Sequence, residues 1–313
     1  MNLVARAQEK IRKIWSKNRH DYAISDVLKT GRIYSEKSDV TFLSMMCHRD
    51  VLMYIVSLKS IYSKVGRGMV VIVDDGSLTA EDKDILDRHV ADITYIDMAG
   101  IETAPCPRGG AWERLLTVLD LSRDSYVIQV DADLVALGPM REVVDSVKAN
   151  RAFTLSGGKG DDVLLTVAEA SRNARGSTSR HIQTLTEQTL DQCEELAGRH
   201  YARGCAGFAG FPRNDGGRAL ATLFSQAMEK RIGGRWSEWG SEQACSNFVI
   251  ANFPDPLILP WPKYMSFEAG DDPNGADLLH FYGTFRYAGG HYTRMSRKVI
   301  STFPRDAAKA SPS

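Results

Sequence analysis

No run of uncharged apolar residues in this 313-residue chain approaches the length of about 18 needed to cross a bilayer. The N-terminal segment lacks the apolar centre and small-residue cleavage site of a secretory signal. Cysteine is scarce. The five residues Cys47, Cys106, Cys193, Cys205 and Cys245 are odd in number, scattered and never in a Cys-x-x-Cys pair. That is poor material for a disulfide framework or a zinc site, and it suits a reducing, cytoplasmic setting. Cys205, between small residues, reads as a core residue. Excess charge of either sign is absent too. The 39 Lys plus Arg balance 39 Asp plus Glu, so no overall field draws the chain to nucleic acid or an acidic polymer. Internal repeats and long low-complexity segments are also missing. What remains is ordinary globular material, 43% hydrophobic and 25% charged, enough for one large core or two small ones.

Short β-branched apolar runs alternate with segments of helical periodicity. Residues 40–46, 69–73, 93–96 and 126–130 read as strands, and 51–64, 80–90 and 111–121 as helices, the second capped by Ser77 or Thr79. This β-α-β-α order predicts an α/β fold, a mostly parallel twisted sheet flanked by helices with right-handed crossovers. The second half is less regular. Residues 156–180, rich in Gly, Ser and Arg, read as a mobile loop with at most one short helix near 164–171. A helix at 181–197, a strand at 206–211, helices at 217–230 and 242–251 and a late strand at 277–281 follow. The organisation expected is an N-terminal helix and polar connector (1–39), a single domain (40–303) and a tail (304–313) that is disordered over 307–313.

The first twenty residues carry Arg6, Lys10, Arg12, Lys13, Lys17 and Arg19 against Glu9 alone, with Leu3, Ala7, Ile11, Ile14 and Trp15 at helical spacing. Such a helix either lies on an anionic membrane at the cytoplasmic face or packs Ile11 and Trp15 on the domain. Because an exposed Trp is costly, packing is the expectation.

Chemistry concentrates at the end of the fourth strand. The run Tyr126-Val127-Ile128-Gln129-Val130 stops at Asp131-Ala132-Asp133. Ligands of open α/β sheets sit beyond the carboxyl ends of strands, and positions two apart in an extended segment point the same way. Asp131 and Asp133 can therefore converge on Mn²⁺ or Mg²⁺, which accept oxygen ligands and share positions with phosphate oxygens. Taken alone, the pair reads more readily as a turn and a cap. The second strand also ends in carboxylates, Asp74 and Asp75, suited to ribose or base donors, although Asp-Gly-Ser is itself a good turn. In Gly240-Ser241-Glu242-Gln243-Ala244-Cys245-Ser246-Asn247, Ser241 is a plausible N-cap, and Gln243 and Asn247 share one helical face. In His280-Phe281-Tyr282-Gly283-Thr284-Phe285-Arg286, His280 can complete a metal shell and Arg286 can fork onto a diphosphate.

Taken in order and at these spacings, the three motifs resemble the retaining family 8 glycosyltransferases, which include the glycogenins and bacterial lipopolysaccharide galactosyltransferases. The resemblance covers about residues 40–290 and implies a GT-A fold. It implies Asp131, Asp133 and His280 as ligands of Mn²⁺ or Mg²⁺, and Gly283 as the point of backbone approach to the diphosphate. Arg286 would stand for the family's phosphate-binding Lys, and Arg114 for its basic residue at the donor sugar or phosphate. Gln243 would lie beside the anomeric carbon and Glu242 would contact the donor sugar. There are departures: Arg286-Tyr287-Ala288 replaces Lys-Pro-Trp, Glu242 replaces Asp, Cys205 stands where Asn is usual, and residues 45–50 match the nucleotide loop only loosely. The implied activity is metal-dependent transfer of a sugar from a UDP-hexose to a hydroxyl of a carbohydrate, lipid-linked or protein acceptor, with retention. One alternative inverts the configuration with Glu242 as general base. A sugar-nucleotidyltransferase would need a Gly-rich loop after the first strand, and residues 45–50 contain no Gly. A non-catalytic sugar-nucleotide-binding protein is disfavoured by the joint presence of Asp131, Asp133 and His280.

Overall fold

The computed structural model describes residues 3–35, 37–283 and 286–306. The tail expected at 307–313, Thr284, Phe285 and the side chains of Leu3, Ala7 and Ile11 lie outside what it describes. In the first half, α1 (Leu3–Ile24) precedes β1 (Val40–Met46), α2 (Val51–Val65), β2 (Met69–Asp74), α3 (Ala80–His89), β3 (Thr94–Asp97), α4 (Trp112–Leu121) and β4 (Tyr126–Val130). Then come β5 (Leu134–Ala136), α5 (Arg141–Lys148), β6 (Phe153–Ser156), β7 (Leu164–Thr166), α6 (Val167–Ala174) and α7 (Ile182–Thr189). The chain continues with β8 (His200–Ala202), β9 (Gly204–Phe211), α8 (Gly217–Ile232), α9 (Ser241–Ala251), β10 (Leu257–Leu259), β11 (Tyr264–Ser266), β12 (Leu278–His280) and α10 (His291–Ile300).

The main sheet has seven strands in the order β10-β6-β9-β4-β1-β2-β3. All its pairings are parallel except those of β9, which runs antiparallel to both β4 and β6. Alternate residues of each strand feed opposite faces. Phe42, Ile72 and Ile128 join Tyr54, Ile55 and Leu58 of α2 in one core layer. Leu43, Val71 and Val127 join Trp112 and Leu116 of α4, Phe224 of α8 and Phe248 of α9 in the other. Strands apolar on both faces are what a sheet covered by helices on both sides requires. A small second sheet, β11-β12-β5, pairs β12 antiparallel to β5 and sets His280 opposite Leu134.

Several expectations change. Residues 21–39 are not simply a polar connector. The first helix runs on to Ile24 and a 3₁₀ turn covers Ser25–Lys29, because Ile24 and Val27 are fully buried. Residues 156–180 hold β7 and then α6, the helix opened by a capping box between Thr166 and Glu169. The helix expected over 181–197 stops at Thr189 and gives way to two 3₁₀ turns, where Asp191 accepts from Ser171 and pairs with Arg175. Trp15 is 61% exposed rather than packed. Instead α1 is held near its C-terminal end by His20, stacked on Tyr292 of α10 at 4.1 Å and hydrogen-bonded to Thr293 at 2.8 Å. No helix among the described residues is long and apolar enough to cross a membrane.

Of the two caps foreseen for α3, Thr79 is the one used. Its hydroxyl accepts from the Asp82 N–H at 3.2 Å, and the Asp82 carboxylate accepts from the Thr79 N–H at 2.8 Å. Thr79→Ala removes half of this reciprocal pair and should cost about 1 kcal/mol. A thermal melt followed by circular dichroism should show the midpoint falling by about 2–4 °C.

Candidate active site

The turn after β4 is fixed on every side. The Asp131 N–H donates to the Gly207 carbonyl of β9 at 2.9 Å, and the Asp131 carbonyl accepts from Ser57 Oγ of α2 at 2.8 Å. The Asp133 carbonyl accepts from the Phe281 N–H, just past β12, at 3.0 Å. These bonds turn both carboxylates toward one point. There the antiparallel pairing of β12 with β5 delivers His280, whose Nε2 lies 3.1 Å from Asp133 Oδ1 and 3.8 Å from Asp131 Oδ2. One ligand atom from each of the three residues lies within 4.8 Å of the others. The imidazole fits only because position 207 is Gly. A Cβ there would stand 2.2 Å from His280 Cε1. Two carboxylates and an imidazole form a donor set suited to Mn²⁺ or Mg²⁺.

Two guanidinium groups complete the electrostatics. Arg114, buried on α4, pairs through Nη1 with Asp131 and through Nη2 with Glu242 at 3.2 Å. Arg286 pairs through Nη2 with Asp133, while its Nε donates to the Phe281 carbonyl at 3.1 Å. Withdrawal from water raises the pKa of Asp131, against the pull of Arg114, and the Asp133 charge adds to the rise. For Asp133 the cost of burial is outweighed by His280 and Arg286, and the pKa falls. For His280, burial alone would disfavour the imidazolium. Cys205 and Asp133 overcome it and raise the pKa well above its ordinary value.

From the opposite wall, α9 contributes Glu242 and Gln243. Glu242 is 3% exposed, and burial pushes its carboxyl up to about 7 although Arg114 opposes the shift. Gln243 is held at both ends of its amide. Its Oε1 accepts from the Ala206 N–H at 3.3 Å, and its Nε2 donates to Gln183 Oε1 at 2.9 Å. Asn247, one turn on, donates to the Gly204 carbonyl at 3.1 Å, so the shared face read from sequence grips the start of β9. Ser241 is not the N-cap. Gly240 takes that position at φ +102°, and Ser241 Oγ accepts from Trp112 Nε1 at 2.9 Å.

Asp131, Asp133, His280, Arg114, Arg286, Glu242, Gln243 and Gly283 all line one cavity of about 400 Å³. Gly283, at φ +57°, is exposed. Asp74 and Asp75 are not brought into it. Asp74 accepts from the Gly76 and Leu78 N–H groups and pairs with Lys83 at 2.8 Å, and Asp75 accepts from the N–H and hydroxyl of Ser77. The turn chemistry of Asp-Gly-Ser engages these groups. Cys205 packs against the core but is not enclosed by it. It is partly exposed, lines the cavity and places Sγ 3.3 Å from His280 Nδ1. Sequence reasoning missed Trp239, a 77% exposed ring on the cavity lining that meets His181 edge-on at 6.0 Å. Its one signal was an aromatic set in a polar turn just before α9.

No family model matches the chain, and no curated protein matches it in sequence. Among solved structures it is similar to the bifunctional glycosyltransferase WbbM in apo form, at 12% identity over 86% of this chain, with a TM-score of 0.51. The alignment spans half (50%) of that protein's length. It is also similar to the galactosyltransferase LgtC with donor and acceptor sugar analogues (9% identity, 87% of this chain and 97% of that one, TM-score 0.49). Mouse xyloside xylosyltransferase 1 in apo form aligns at 9% identity over 79% of this chain and 97% of its own (TM-score 0.47). At these identities the likeness is one of fold. The chain has the GT-A glycosyltransferase fold, a mixed α/β arrangement around a seven-stranded, mostly parallel sheet.

The burial of Glu242 has a measurable sign. Its pKa is raised from 4.5 to about 7 in the folded chain, so the folded state holds the proton more tightly than the unfolded one. The resulting stability is full below about pH 4.5 and is lost as pH rises through about 7. Relative to Glu242→Gln, the wild-type protein should lose stability across that window. Denaturant unfolding of both at pH 4.5, 6 and 8 reads the difference, and parallel curves would place the carboxyl in water.

Proposed function

We propose that this chain is a metal-dependent glycosyltransferase that moves a hexose from a UDP-hexose to a hydroxyl of a carbohydrate, lipid-linked or protein acceptor, with retention. The observation that carries the reading is the meeting of Asp131, Asp133 and His280 in one cavity with Arg114, Arg286, Glu242 and Gln243. In this reading Asp131, Asp133 and His280 hold Mn²⁺ or Mg²⁺, whose bound charge would neutralise a diphosphate leaving group. Arg286, anchored through Nε, keeps Nη donors for a phosphate oxygen, and Gly283 leaves the backbone open to it. Arg114 spans Asp131 and Glu242 and so ties the metal side of the cavity to the sugar side. Gln243 keeps one amide hydrogen beyond the one given to Gln183, for a sugar hydroxyl, and a second lone pair on Oε1 for positive charge developing at the anomeric carbon. The anomeric carbon–phosphate oxygen bond breaks, the acceptor oxygen bonds to that carbon, and its proton passes to the departing phosphate.

One observation favours the inverting alternative: a carboxyl with a pKa of about 7 is tuned for general-base work. Against it, both Glu242 oxygens face the Arg114 guanidinium, at 3.2 and 3.4 Å. The anomeric configuration of the product, read by NMR, separates the two.

The decisive experiment is a screen of nucleotide sugars for Mn²⁺-dependent release of free sugar, since water can stand in for the acceptor. Asp133→Asn should abolish that release. Because Asp133 pairs with His280 and Arg286, it should also cost on the order of 1–3 kcal/mol of stability. His280→Ala should weaken Mn²⁺ binding by about 10–100-fold or more, the loss that even outer-shell partners produce, with partial recovery of release at high Mn²⁺. An unchanged Mn²⁺ dependence in both variants would remove the trio from the site.

The same reading places the protein in the cytoplasm, touching an anionic membrane through α1. Trp15 and Tyr22 are 61% and 84% exposed, with Arg12 and Arg19 beside them, and Arg19 lies over the Trp15 ring at 5.5 Å. Co-sedimentation with phosphatidylglycerol vesicles should fall at least about fivefold in a Trp15→Ala, Arg19→Ala variant, and sugar release in solution should not change. Equal sedimentation of both proteins would end the membrane idea.

A further inference from the structure

A second cavity, of about 320 Å³, lies where residues 160–165, α6, α7, Tyr201 of β8 and Arg203, between β8 and β9, meet. Its lining joins two kinds of surface. Leu165, Ala170 and Ala174 are apolar, and Asp161, Glu187, Arg203 and Asn173 are polar or charged. The charges are deliberately paired but not used up. Arg203 Nε donates to Glu187 Oε1 at 3.2 Å and its Nη1 lies 3.6 Å from Asp161 Oδ2. Glu187 is 4% exposed, and its bonds from Gln183 and Arg203 both fall on Oε1. Burial raises the pKa of this carboxyl, against Arg203 and Gln183. Acceptors and forked donors set beside an apolar wall suit a sugar ring, with hydroxyls at its edge and C–H groups on its face.

The cavity is also wired to the candidate active site. Glu187 Oε1 accepts from Gln183 Nε2 at 3.0 Å, and Gln183 Oε1 accepts from Gln243 Nε2 at 2.9 Å. Gln183 and Glu187 stand one turn apart on α7, about 5–6 Å along its axis. A group bound at Glu187 is therefore within the reach of an oligosaccharide whose end is at Gln243.

We propose that this second cavity binds a neutral sugar unit of the acceptor, remote from the hydroxyl that reacts. The word acceptor rests on the transferase reading, while sugar binding in the cavity does not. The full chain, without metal or donor, is titrated with lactose, maltose and cellobiose by saturation-transfer NMR and calorimetry. The expected result is binding of at least one of them with a Kd on the order of 1–10 mM. Arg203→Gln and Asn173→Ala should each weaken it by about tenfold, the loss of one hydrogen-bonded partner. Both side chains are exposed enough to be replaced without unfolding the domain, and a melt of each variant verifies that. Asn173 has no part in the Gln183–Glu187 chain, so its effect reports the cavity rather than the arrangement of Gln243. Putrescine is the control, because two carboxylates facing one guanidinium could instead attract an amine.

Failure to bind any of the disaccharides overturns the proposal. So does binding that neither substitution alters, and so does binding of putrescine alone. Disaccharide binding without release of sugar from any donor would sink the transferase reading and keep the cavity. Sugar release with no disaccharide binding would do the reverse.

Discussion

Two carboxylates separated by a single residue, one of them almost fully buried, cannot both stay ionised in a protein interior unless cations face them. That constraint organises this molecule. Asp131 and Asp133 are met by Arg114 from α4, His280 from β12 and Arg286 beyond it, so three distant stretches of chain are committed to one small volume. The backbone obeys the same demand. Gly207 lets the imidazole approach, and β9 runs antiparallel to β4 so that its first residues lie beside the end of that strand.

The guanidinium partners also set up a competition. A divalent cation at the carboxylates would displace the attraction that now holds Arg114 and Arg286, and each would turn to what is left. For Arg114 that is Glu242, already 3.2 Å away; for Arg286 it is whatever anion enters the cavity. The two guanidinium groups already offset the two carboxylates, so the fold does not need an ion there to stand. A buried Glu near neutrality supplies further slack, since it can take up or give up a proton as the local charge changes.

The first half of the chain was legible because its signals are local. β1 begins and ends where its apolar run does, α4 and β4 fall within a residue of expectation, and Thr79 supplies the α3 cap. The convergence of Asp131, Asp133 and His280 was legible too, through motif order rather than periodicity. What was not legible depended on tertiary context. Asp74 and Asp75 read as partners of a nucleotide, and the structure shows their oxygens serving the turn, off the cavity that the other site residues line. Cys205 carries no mark of its place beside His280, since only the pairing of β12 with β5 brings that ring across. Trp15 was expected to be buried from the average cost of exposing an indole, a cost that says nothing about where one helix lies on a surface. The order in residues 156–180 was hidden because Gly and Ser content lowers propensity without forbidding the short β7–α6 segment, whose capping box spans only four residues, Thr166 to Glu169.

The pairing of β5 with β12 also has a consequence in time. Leu134 leaves the ribosome well before His280, its partner across the small sheet, and at about 5–20 residues per second the interval is on the order of ten seconds. During it a nascent chain presents Asp131 and Asp133 with neither the imidazole nor Arg286 opposite them. A product that terminates early therefore keeps the carboxylates and Arg114 but lacks His280 and Arg286. The last third of the chain acts as a certificate of completion: the site assembles only in molecules whose synthesis has passed β12.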